Sequence, residues 1–306
     1  MYVGIAPCSL LIYNDNVKLL SPAKVNLFLR ILGKREDGFH ELETLMCPVD
    51  CCDEITLAAV EAGIELTIDG ADLPTGPENL AYQAAAAVQE KAGITSGVQI
   101  HIDKKIPLGG GLAGGSSNAA VVLKGCNELW DAGLSRVELH ELAAGMGSDV
   151  NLFLEEGPCL CRGRGELVEP VVWEEQLEII LLNPGFGIET PATFRAYAKL
   201  PGALKRGMDG IWHSSYESRA GEVVHFQLRN DLEPAVFEKH LWIRGAKEWL
   251  LEQEETLDAL MSGSGATLFT LTRSQETAIS LEKKMKETFG PEVLILRVKP
   301  LKTSHA

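Results

Sequence analysis

The chain has 306 residues, 45% of them hydrophobic and 23% charged, and carries a formal net charge of −15. That is long enough for one large or two ordinary domains with a substantial core, and the balance is that of an ordinary globular protein rather than a disordered one. So acidic a surface argues against general binding to nucleic acid or anionic membrane, and any anionic ligand has to be held by local donors.

The N-terminus, from Met1 to Asp15, lacks a basic n-region and its apolar stretch is short, so it does not read as a signal peptide, and no apolar run approaches a membrane span. Cysteines stand at 8, 47, 51, 52, 126, 159 and 161, an odd and scattered set without paired zinc spacing, which reads as reduced thiols in a cytoplasmic protein.

From Val17 to Ile31 the pattern is that of a strand. Ala23, Val25, Leu27, Leu29 and Ile31 share one face and Lys24, Asn26, Phe28 and Arg30 the other, so Lys24 and Asn26 project together. By itself such a pair reads as solvated. A polar turn with its tip at Asp37-Gly38 ends in Phe39-His40, and strands are expected over 41–49, 53–60 and 64–69. Asn79 to Ala92 reads as an alanine-rich helix stopped by Gly93, and Val98 to Ile106 as a half-exposed strand meeting Pro107.

Then comes the densest stretch, Pro107-Leu108-Gly109-Gly110-Gly111-Leu112-Ala113-Gly114-Gly115-Ser116-Ser117-Asn118. Ser116, Ser117 and Asn118 are suitable caps for a helix from Ala119 to Trp130. A glycine loop feeding a helix N-terminus supplies free N–H donors and the positive dipole end, the combination that holds phosphate. The stretch has no Gly-Lys-Ser/Thr, so it is no P-loop. Gly109-x-Gly111-x-x-Gly114 fits the dinucleotide pattern, but the strand before it alternates where that fold has a continuously apolar one.

A helix from Ser135 with Glu138 as capping box follows, then Asp149 ahead of an apolar strand-like run, Val150 to Leu154. Arg162 to Val168 leads to a domain boundary near Glu169-Pro170. The second half opens with a strand at Leu177 to Leu182 and an ordered loop to Pro191, continues with helical segments either side of Asn230–Pro234, and has a helix at 242–255. Met261 to Leu271 is a second glycine turn running into a strand, with a helix from Ser274 and a last strand at Val293–Arg297.

Together, Ser21-Pro-Ala-Lys24-Val-Asn26, Asp37-Gly-Phe-His40, the glycine stretch, Gly147-Ser-Asp149-Val and Met261 to Ala266 resemble the GHMP kinase superfamily, and within it the branch that phosphorylates CDP-linked methylerythritol. The resemblance implies an α+β fold of two lobes: a ribosomal-S5-domain-2-like ATP lobe over 1–170, of which 1–16 is an extension, and a ferredoxin-like lobe over 171–306. It implies transfer of phosphate from ATP, with Mg²⁺, to the 2-hydroxyl of a small CDP-linked alcohol of the non-mevalonate isoprenoid route, by a monomer or weak dimer. Lys24 and Asp149 become the catalytic pair; Pro107 through Ser117, with Asn79 and Lys104, the ATP site; Asn26, Phe39, His40 and Phe194 the cytidine site; and Ser117 a magnesium ligand. The chain departs from the usual pattern at Phe39, where tyrosine is common, at Ser148 in place of alanine, and at Asn151 in place of proline. Another small-alcohol kinase of the superfamily, a catalytically silent nucleotide sensor and a nicotinamide dehydrogenase are the competing readings. Asp37-Gly-Phe-His40 disfavours the first, and the presence of both Lys24 and Asp149 disfavours the second.

Overall fold

In a computed structural model, which describes residues 11–13 and 16–302, the alternating segment forms the long strand β2 (Asn16–Lys34). It pairs antiparallel with β3 (His40–Val60) around the Arg35–Phe39 turn, while β1 (Leu11–Tyr13) adds to its outer edge. Of the expected extension over 1–16, residues 1–10, 14 and 15 lie outside the described residues, as does Cys8. Register shifts at Pro22/Ala23, Asn26/Phe28 and Ile31/Gly33 break the hairpin into segments. Such bulges bend and twist a strand, which lets one hairpin serve two halves of the molecule.

Its first half carries β4 (Ile64–Asp69) and β5 (Gly97–Asp103), with β5 antiparallel to β3 and parallel to β4. Three helices cover this half: α1 (Leu80–Ala92), α2 (Gly114–Leu129) and α3 (Arg136–Met146). The alanines of α1 meet Ala119 and Ala120 of α2, and a Cβ at Gly125 would lie 2.4 Å from Leu57 and 2.7 Å from Leu19. Small residues thus let helix, helix and sheet approach closely. Over its N-terminal half, β3 pairs with β6 (Cys159–Gly163), which pairs with β7 (Leu167–Pro170).

The second sheet runs in the order β12-β13-β8-β14, all antiparallel, from β8 (Glu178–Asn183), β12 (Asp258–Met261), β13 (Leu268–Thr272) and β14 (Leu294–Val298). Helices α4 (Thr190–Lys199), α5 (Glu233–Phe237) and α6 (Leu241–Leu251) link β8 to β12, and α7 (Gln275–Phe289) links β13 to β14. That order is the split βαββαβ, ferredoxin-like arrangement. Within the first link, β9 (His213–Glu217) and β10 (Val223–Gln227) form a hairpin, and β11 (Arg229–Asn230) pairs with β2 of the other sheet.

Four local expectations change. The stretch before Asn230 is this hairpin rather than helix, since alternating Tyr216, Val224 and Phe226 pack on Trp173 and Trp212. Residues Asn151–Leu154 form a short 3-10 helix, not a strand. Helix α2 begins at Gly114, so Ser116, Ser117 and Asn118 lie inside its first turns instead of capping it. Finally, Lys24 and Asn26 are buried, 3% and 1% exposed, because Asp149, Thr44 and the turn at Gly263 close around their side chains.

Candidate active site

The glycine stretch crosses between the two sheets with its carbonyls occupied. Those of Gly109, Gly110, Gly111 and Leu112 accept from Ile188 N (3.1 Å), Thr267 N (3.2 Å), Ser262 Oγ (3.0 Å) and Lys24 N (3.1 Å). Backbone φ is positive at Gly109, Gly111 and Ala113, every second residue, the alternation that turns successive amides into an anion-binding concavity. Helix α2 adds the N–H groups of Gly114, Gly115 and Ser116, which precede its first backbone bond, Ser117 N to Ala113 O at 2.9 Å. This explains the early helix start: the glycines form the first turn, and no side chain caps the amides.

Behind the loop, buried Asp53 accepts from Lys105 N (2.7 Å), Ile106 N (2.9 Å), Asn118 Nδ2 (2.8 Å) and Lys104 Nζ. Lys104 is therefore a cation fixed at the loop's entrance, and it faces the cleft. Ser117 does not face it. Fully buried, it accepts from Ser21 Oγ at 2.8 Å, and Ser116 lines the cleft in its stead. The expected magnesium ligand is thus turned inward, because one residue along an α-helix rotates a side chain by about 100°. Asn79 is also absent from the cleft lining: its amide accepts from Ala81 N and donates to Pro74 O as the cap of α1.

Lys24 and Asp149 meet on the cleft floor, Nζ to Oδ2 at 3.6 Å. Lys24 Nζ donates to Asn26 Oδ1 at 2.6 Å, Asn26 Nδ2 to Thr44 Oγ1 at 2.8 Å, and Thr44 Oγ1 to Phe28 O at 2.6 Å. Every polar atom of this chain has a partner, so the ammonium is held in one place. Burial pulls the Lys24 ammonium below the usual lysine range, and Asp149 offsets part of that shift. Asp149 sits in the turn between α3 and the 3-10 helix, 28% exposed by side chain. Asn151, in the position of an expected proline, braces this turn by donating to Glu166 O at 3.0 Å and meeting His140 Nδ1 at 3.2 Å.

At the far end, His40 stacks on Phe194 with centroids 5.2 Å apart and meets the edge of Tyr197 at 5.8 Å. Phe39 is 51% exposed, with the Arg164 guanidinium 4.9 Å from its ring centroid. Burial, then Lys34 and Lys205, lowers the His40 imidazole below its ordinary value, which favours the neutral ring. Phe39, His40 and Phe194 therefore come together, but His40 itself covers Phe194. A base entering between those rings needs them about 7 Å apart, twice the stacking contact distance.

Lys24, Asp149, Lys104, the loop from Pro107 to Ser116, Phe39, His40 and Phe194 line one cleft of about 720 Å³, which also takes in Thr190, Arg195 and Ser264. Among the described residues that line it, Lys24, Lys34, Lys104, Arg164 and Arg195 are cations and Asp149 is the single carboxylate, so the sign of this acidic protein is inverted locally. Of the groups that build the site, sequence reasoning missed Asp53, Thr44 and Arg164, while Ser262 fell within the Met261–Ala266 motif without a role of its own. Arg164 sits in a glycine-flanked turn that read only as a boundary, and the others are ordinary polar residues until the fold brings them together.

A two-lobed α+β fold with an amide-lined glycine loop facing a lysine–aspartate pair defines a kinase of the GHMP type, an ATP-dependent phosphotransferase. The chain matches the models for the GHMP kinases N terminal domain over 79–157 and GHMP kinases C terminal over 216–290. It is 36% identical over 282 residues to 4-diphosphocytidyl-2-C-methyl-D-erythritol kinase of Pelotomaculum thermopropionicum, covering 92% of this chain and 97% of that one. To the protein of the same name from Syntrophomonas wolfei it is 38% identical over 281 residues, covering 92% and 98%. A crystal structure of 4-(cytidine 5'-diphospho)-2C-methyl-D-erythritol kinase superimposes with a TM-score of 0.70 at 30% identity, covering 92% of this chain and 98% of that one. The chain belongs to the 4-diphosphocytidyl-2-C-methyl-D-erythritol kinase family.

Proposed function

We propose that the protein transfers the γ-phosphoryl group of ATP to the 2-hydroxyl of 4-diphosphocytidyl-2-C-methyl-D-erythritol, in the non-mevalonate route to isoprenoids. The observation that carries this reading is one cleft holding an amide cradle at one end, an aromatic and histidine cluster at the other, and Lys24–Asp149 between them. The loop and Lys104 hold the ATP phosphates; Phe39, His40 and Phe194 receive the cytidine. Asp149 orients the acceptor hydroxyl and takes its proton, and Lys24 steadies the charge that develops on the transferred group. In a loose phosphoryl-transfer transition state, this positioning and electrostatic support are most of what a protein supplies.

One carboxylate with the hydroxyls of Ser116 and Ser148 makes a set of hard oxygen donors that fits a magnesium ion. Such an ion would neutralise phosphate charge, with Asp149 and Ser116 as the cleft oxygens that would hold it. We read the lobes as 1–170 and 171–306, and the buried thiols of Cys47, Cys126, Cys159 and Cys161, all raised by burial, as fitting a reducing cytoplasm.

An ADP-release assay with the CDP-linked alcohol, mevalonate and homoserine tests the reading. Turnover is expected with the first alone, and to stop in EDTA. Preference for homoserine or mevalonate would overturn the substrate, and full turnover in EDTA the metal.

A further inference from the structure

Between the catalytic pair and the aromatic end lies a tight turn, residues 163–166, that the mechanism above does not use. Gly163 and Gly165 have φ of +74° and +119°, and they flank Arg164. A Cβ on Gly165 would stand 3.5 Å from Asp149 Oδ1 and from Ser148, so the turn lies directly against the catalytic carboxylate. From there the Arg164 side chain reaches the other way and lays its guanidinium over Phe39. The turn is braced from below: Arg164 N donates to Glu166 Oε2 at 2.6 Å, and Asn151 Nδ2 to Glu166 O at 3.0 Å.

The guanidinium keeps its donors available. Among the described residues, its carboxylate neighbour within 4 Å is Glu166, at 3.8 Å from Nε, too far for a hydrogen bond. The side chain is 32% exposed and lines the cleft. Stacking on an aromatic ring fixes the plane of an arginine while leaving its edge free, and that edge matches phosphate oxygens in a two-point grip.

Taking the acceptor as read above, its cytosine and its reacting hydroxyl are joined through a diphosphate. With the base at Phe39 and His40 and the hydroxyl at Asp149, the diphosphate has to pass the residue that spans those two points. We infer that Arg164 grips the acceptor's diphosphate, and so selects a cytidine diphosphate compound over an uncharged cytidine compound. The inference rests on the proposed acceptor.

Calorimetric titration of the whole protein with CDP, CMP and cytidine tests it, on the native chain and on Arg164→Met and Arg164→Lys, each checked by thermal melting. Removing a charge-assisted hydrogen-bond donor should weaken CDP binding by about 10- to 100-fold. Cytidine should change by less than about twofold, since it lacks the charge, and CMP should fall between. Arg164→Lys keeps the charge without the planar fork, so it should recover part of the lost CDP affinity, and it serves as the test variant should Arg164→Met not fold. Equal losses for CDP and cytidine would show that Arg164 only covers Phe39, and unchanged CDP binding would remove it from the site; either result overturns the inference alone. A native protein that binds ATP but none of the three cytidine compounds would overturn the acceptor reading as well.

Discussion

A buried lysine beside a half-buried aspartate is costly to hold, and Lys24 shows why the arrangement is functional. Its ammonium is almost out of reach of water and bonded to Asn26. Its affinity for a proton is lowered on folding, burial outweighing Asp149. Between the folded value and the ordinary 10.5 the unfolded chain binds more protons, so stability rises with pH through that window. Below that window the buried charge detracts from stability. Lys24→Met removes that charge and keeps the stem, so the melting temperature should stay level or rise while turnover falls by about 10²- to 10³-fold. A melting temperature lower by several degrees would mean that the ion pair stabilises the fold instead. Asp149→Asn should cost about 10²- to 10⁴-fold if the carboxylate takes the proton. In the double variant the losses should fall well short of multiplying, because the two groups serve one hydroxyl; full multiplication would separate their roles.

At the scale of elements, the glycine loop is held by its carbonyls, and its glycines divide by what they do. Gly111 has φ +75°, and a Cβ there would stand 2.1 Å from Ser262 O. Gly115 has nothing within 4 Å and lies within helix α2 facing the cleft. Gly111→Ala should therefore lose melting temperature and activity together, through backbone strain of about 1–3 kcal/mol and displacement of the glycine turn at Ser262. Gly115→Ala should gain about 0.5–1 kcal/mol of helix stability, yet raise KM for ATP by placing a methyl where phosphate meets the amides. Parallel melting curves and ATP titrations check both, and a Gly115→Ala protein with native KM would remove that amide from the phosphate site. Local signals fared well where the cause is local: the capping box read at Ser135 starts α3, and α1 and α7 begin one residue after their expected starts at Asn79 and Ser274. They failed at α2, where Ser116 and Asn118 look like caps but bonds from Ile188, Thr267 and Ser262 fix the preceding turn. Ser117 likewise carried the right motif, and only the helix phase, set by that early start, shows it facing inward.

Across the whole molecule, the two sheets are not joined as separate beads. Strand β11 pairs with β2, placing Arg229 beside Phe28 and Asn230 beside Leu29. Asp231 accepts from Ile31 N at 2.9 Å and donates its own N–H to Leu29 O at 3.0 Å. After β14 the chain returns to the first lobe, where Lys299 and Leu301 exchange backbone bonds with Asp50 and Pro48. One hydrophobic cluster contains Ala23, Val25, Leu27 and Leu45 together with Ile179, Leu181, Phe269 and Leu271. None of this cross-bracing was legible in the sequence. A two-residue strand such as β11 has no periodicity to read, and the apolar faces of β2 and β8 say only that each is buried, not that they bury each other. The consequence is cooperative folding. A fragment of residues 1–170 would expose the apolar surface that the second sheet covers, and would lose three of the four donors that hold the glycine loop, those of Ile188, Thr267 and Ser262. The full chain should thus unfold in one calorimetric transition whose van't Hoff and calorimetric enthalpies agree, and ATP should move that transition as a whole. The fragment should show no cooperative melt and no ATP binding. Two resolved transitions in the full chain, or a fragment that melts cooperatively, would mean that the lobes are independent and that the glycine loop is shaped within the first lobe alone.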